Sequence, residues 1–184
     1  MSEPFTPDQA VTFDLANGLV HLADAPSRIL APGDALSALL SSAPLEAQSA
    51  FARALGAPLG TRVARRLDSA TATPDAMIEH LGGELGLAGL GALSIERWGD
   101  AMVLCVDHTP LAPGALGEVL GEALRTATGS EVHLVMLMSD KTRARFFVGS
   151  QKGRDAAAAL LRDGKSWSEV LVQLHDAKSV EKAS

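Results

Sequence analysis

Residues 91 to 149 constrain the fold more than any other part of the chain. Two runs of strand-forming residues, GALSIERW and AMVLCVD, meet at Gly99-Asp100. A helix-favouring run, PGALGEVLGEALRTATG, follows, and two more strand-like runs, SEVHLVMLM and RARFFVG, are joined by Ser139 to Thr142. Short runs rich in Val, Ile and Phe give the strand signal, and leucines spaced four apart give the helix. The order is β-β-α-β-β. It predicts an α+β domain, with an antiparallel four-stranded sheet covered by helices. Leu93 and Ile95 alternate with Ser94 and Glu96, so the first strand has one buried face. AMVLCVD and HLVMLM are apolar on both faces, which predicts central strands covered on two sides.

The rest of the chain prepares for this unit or covers it. Residues 1 to 10, with Pro4 and Pro7, read as a flexible lead. Residues 11 to 43 hold an N-terminal β-hairpin and a helix. VTFDLANGLVHL alternates about Asn17-Gly18, a pair that favours a type I′ turn, and Phe13, Leu15, Leu19 and His21 form a mostly apolar face. Asp34 is placed to cap ALSALLSSA. Residues 44 to 175 form the main domain. Its first helix starts at Pro44, is interrupted by Gly56, Pro58 and Gly60, and resumes in TRVARRLDSA. Thr73 and Pro74 signal the start of the next helix, on which Met77, Leu81 and Leu85 are spaced four apart. Leu116, Leu120 and Leu124 share a face on the helix inside the β-β-α-β-β unit. Gly117 and Gly121 on that helix predict a groove for close approach of another backbone. A helical pair follows, with Ser166 as cap and Trp167 as packing anchor, and residues 176 to 184 read as a polar tail.

A chain of 184 residues with 47% hydrophobic and 21% charged residues can bury a core and is no disordered polymer. Aromatics are 4% and tyrosine is absent, so the core is built from Leu, Ala, Val and Met. A net charge of −6 without a basic stripe argues against nucleic acid as partner. The densest basic spots, Arg62, Arg65 and Arg66, then Lys141, Arg143 and Arg145, read as a solvated helix face and a hairpin tip. No signal-peptide pattern opens the chain, and no apolar run reaches the ~20 residues of a membrane helix. A cytoplasmic protein is expected.

Catalytic patterns are missing. The five histidines form no HExxH pair, and no GxSxG or GxxxxGK[ST] occurs. Gly86, Gly89 and Gly91 lie between a helix and a strand, the reverse of the order in a phosphate-cradling loop. Cys105, mid-strand, reads as a small buried hydrophobe rather than a nucleophile. As the single cysteine it excludes an internal disulfide and a Cys-rich zinc site. Asp107 and His108 end a strand, and a cleft joining them to His133 would be needed for catalysis. Met102, Met136 and Met138 either fill a core poor in aromatics or line an adaptable pocket. No catalytic residue, metal or cofactor is expected.

The order of elements carries a resemblance. FDLANGLVHL, ALGAPLGTRVARRL, TPDAMIEHLGGELGLAGLGALSIERW, VLCVDHTPLAPGALGEVLGEAL and SEVHLVMLMSDKTRARFFVG together resemble the vinyl-reductase-type small-molecule-binding domain, over roughly residues 11 to 150. That fold is shared with a class of TRAPP vesicle-tethering subunits and with phenol- and xylene-sensing domains. The resemblance implies a non-enzymatic module that binds an apolar small molecule, forms a homodimer, or scaffolds a protein partner. The ligand-binding residues it suggests are Met77, Leu81, Met102, Cys105, Leu120, Met136 and Phe146. Sensor relatives hold a structural zinc through three cysteines and a glutamate. In register these fall near Ala112, His133, Met136 and Ala144, a set that cannot form a thiolate site. The resemblance therefore implies a member without the metal.

Overall fold

The computed structural model describes residues 11–14, 16–17, 19–22, 32–68, 71–99, 101–141 and 143–183. The elements are β1 (Val11–Asp14), β2 (Leu19–Leu22), α1 (Gly33–Ser42), α2 (Leu45–Arg66) and α3 (Pro74–Leu87). Then come β3 (Ala92–Trp98), β4 (Ala101–Asp107), α4 (Pro113–Thr128), β5 (His133–Asp140), β6 (Arg143–Gly149), α5 (Gln151–Arg162) and α6 (Trp167–Ala183). The polar stretch after residue 175 thus continues α6. The lead 1–10 and residues 23–31 lie outside the described residues.

β3 to β6 form the expected antiparallel sheet, in the order β3-β4-β6-β5. Because β6 pairs antiparallel with both β4 and β5, those two run parallel, and α4 is the crossover between them. β4 and β6 are the central strands. β5, expected to be central, is an edge strand; α4 and α5 flank it, so its two apolar faces need no central position. Helices α2, α3 and α4 cover one face of the sheet, and α5 and α6 cover the other. Strand alternation sends Leu104, Val106, Ala144 and Phe146 to the first layer and Val103, Cys105 and Phe147 to the second.

α2 runs unbroken through Gly56, Pro58 and Gly60, where the sequence predicts an interruption. A proline inside a helix costs about 3 kcal/mol. Packing of α2 along α4 offsets that cost, and the glycines allow it. A Cβ on Gly56 would sit 2.5 Å from the carbonyl oxygen of Val119, and one on Gly60 would collide with that of Ala123. The close backbone approach is therefore made here rather than at Gly117 and Gly121. Gly117 instead makes room for the Phe146 ring, where a Cβ would lie 3.0 Å from Cε1, and Gly121 opens towards Leu134.

Local signals set the helix ends. Thr73 Oγ1 accepts a hydrogen bond from the Ala76 N–H at 3.2 Å, which caps α3. Ser166 and Glu169 form a reciprocal capping box at the start of α6, with the Ser166 N–H donating to Glu169 Oε2 at 2.8 Å. Asp34 lies inside the first turn of α1 rather than at its cap, and accepts from the Ala35 N–H at 2.9 Å. β1 and β2 pair from Val11↔Leu22 to Asp14↔Leu19. Their connection, residues 15–18, is longer than a two-residue Asn17-Gly18 turn, and Phe13, paired with Val20, is exposed.

Candidate ligand-binding core

The layer between the sheet and α2, α3 and α4 gathers four of the seven residues suggested for ligand binding. Met77 and Leu81 come from α3, Leu120 from α4 and Phe146 from β6, and all four are buried in one cluster. Leu59 and Val63 of α2 close the cluster from above, and Leu104 and Val106 of β4 form its floor. The helical stripe of α3 explains its contribution, because Met77, Leu81 and Leu85 recur at the spacing of one helical face. The remaining three residues do not join. Cys105 points to the opposite face of the sheet by strand alternation and packs in the second cluster. Met102 is half-buried, and Met136 on the edge strand is 46% exposed.

One edge of this layer is charged, against expectation. Arg62, read as part of a solvated face, is 7% exposed, and Glu84 on α3 is fully buried. Arg62 Nε donates to Glu84 Oε2 at 2.5 Å, and Arg66 Nη1 lies 2.7 Å from Glu84 Oε1 without hydrogen-bond alignment. A buried carboxylate is tolerated only when paired, and two guanidinium groups from the facing helix do so here. His80, one turn before Glu84, is also buried, and its Nδ1 has no partner. The sequence held a signal for this cluster. Glu84 falls on the apolar stripe of α3, and Arg62 and Arg66 are spaced to reach one point from a single helix face.

The second layer carries its own polar group. Arg145, expected at a solvated hairpin tip, donates from Nη2 to Glu96 Oε1 at 3.0 Å and from Nη1 to Met138 Sδ at 3.2 Å. Its guanidinium lies 5.2 Å from the centroid of the Trp167 ring, and Trp98 meets Trp167 edge-on at 5.3 Å. Trp167 is thus the anchor expected for α6. The Arg145 hydrogen bond holds the Glu96 carboxyl below its ordinary value. Burial, with the Glu96 carboxylate beside it, pushes the Cys105 thiol up to about 11. Such a thiol is protonated at neutral pH and is a poor nucleophile.

The cleft required for catalysis is not assembled. Asp107 pairs with Arg143 at 2.5 Å, at the end of the sheet where β4 finishes. His133 starts β5 and pairs with Gly149 at the other end, about 20 Å away at ~3.3 Å per residue. His108 instead borders a shallow open groove of about 730 Å³ on the outer side of α3, with Glu79, Gly86, Gly89 and Gly91. A zinc site of the sensor kind does not fit either. Ala144 pairs with Val106 at the opposite end of β6 from His133, so the four register positions do not converge. Among the described residues no three His, Cys, Asp or Glu side chains are grouped to hold a metal, and no helix is long and apolar enough to cross a membrane.

The sequence matches no protein-family profile, and no curated protein aligns with it significantly. Among solved structures it is similar to the phenol-responsive sensory domain of the transcription activator PoxR, determined with phenol. The TM-score is 0.62 at 15% sequence identity, over 83% of this chain and 92% of that one. The chain has the fold of that sensory domain.

Proposed function

We propose that this chain is a non-enzymatic module that binds a small apolar molecule between its sheet and the α2–α4 layer. The observation that carries the reading is the likeness in fold to a sensory domain determined with phenol, together with one shared core for Met77, Leu81, Leu120 and Phe146. Largely apolar walls with a few polar groups at one edge are the usual make-up of a small-molecule site, and the Arg62–Glu84 pair supplies that edge. The binding unit is residues 44–175, with the hairpin-and-helix arm 11–43 attached, and the module acts in the cytoplasm as a homodimer. In sequence pattern it resembles the vinyl-reductase-type domain.

A second reading, a TRAPP-like scaffold without ligand, is favoured by one observation. Leu39 and Leu45, at the corner between α1 and α2, are 66% and 81% exposed, as expected of residues that another protein covers. Native mass spectrometry before and after denaturation separates the two readings. A dimer carrying extra mass that denaturation releases supports the binding module. A bare oligomer, unchanged in mass and unaffected by small aromatic probes, refutes it in favour of the scaffold.

A further inference from the structure

We draw no further inference here: the strongest candidate, the shallow groove between α3 and the start of β3 that Glu79, His108 and a row of glycines line, carries nothing, because its floor is a stripe of small residues and nothing in the structure shows what covers it.

Discussion

Replacing Gly60 with alanine should destabilise the protein, although the same change ordinarily strengthens a helix. Two terms compete. Alanine in a helix interior is favoured over glycine by about 1 kcal/mol. Against that, the new methyl would collide with the Ala123 carbonyl oxygen and lie 2.8 Å from Thr126 Cβ. The obstacle is backbone, so no rotamer change relieves it, and α2 must move away from α4. A gap of 0.5–1 Å forfeits roughly a quarter to a half of each van der Waals contact along the seam. Ala52, Leu59, Val63, Val119 and Ala123 line that seam or adjoin it, all buried to 2% exposure or less. Overpacking of this kind costs about 1–3 kcal/mol, and the severity of the collision puts Gly60 at the upper end. After the gain in helix propensity, a net loss of about 1–2 kcal/mol remains. Gly86 is the control, since a Cβ there meets nothing within 4 Å. Gly86→Ala should leave stability unchanged or raise it by up to about 1 kcal/mol. Urea unfolding followed by far-UV circular dichroism reads both. If Gly60→Ala raises the midpoint at unchanged slope, α2 does not press on α4, and the account of why its proline is tolerated fails.

Two further outcomes concern the second layer. Cys105, buried and with its thiol near 11, should resist a thiol reagent at pH 8 in the native protein and react at once in denaturant; rapid native labelling would refute its burial under α5 and α6. Glu96, held below its ordinary value chiefly by Arg145, binds a proton less readily folded than unfolded. Its contribution is therefore complete above the ordinary carboxylate range and is lost as pH falls through that range. Glu96→Gln should flatten the acid limb of thermal stability between about pH 5 and 3, by a modest amount because the side chain is one-third exposed. An acid limb identical in the two proteins would show that the Arg145 pair is not maintained in solution.

The sheet and its helices were legible because their signals are local. Period-two alternation in ALSIERW, leucines four apart on α4 and the Thr73-Pro74 start each act within one element. What escaped was set by contacts between elements. The α2 proline reads as a break until α4 is beside it. HLVMLM reads as central because periodicity reports covered faces and says nothing of strand order. Arg62 reads as solvated because a single helix does not reveal that Glu84 will face it. The seven residues suggested for binding split for a related reason. Cys105 and Phe146 both lie in central strands, but register places Cys105 opposite Arg145 and Phe146 opposite Leu104, on different faces.

That split has a consequence for how a ligand could alter the molecule. The two apolar layers lie on opposite faces of the sheet, and among the described residues no buried side chain belongs to both. A ligand entering the first layer must displace or spread α2, α3 or α4, because Leu59, Leu81 and Leu120 already fill it. α2 and α4 are locked by backbone contact at Gly56 and Gly60, whereas α2 and α3 meet through side chains, the apolar ones of the shared cluster and the Arg62–Glu84–Arg66 charges. Backbone pressed on backbone resists small displacements steeply, while side chains can change rotamer. The α2–α3 seam is thus the easier one to open.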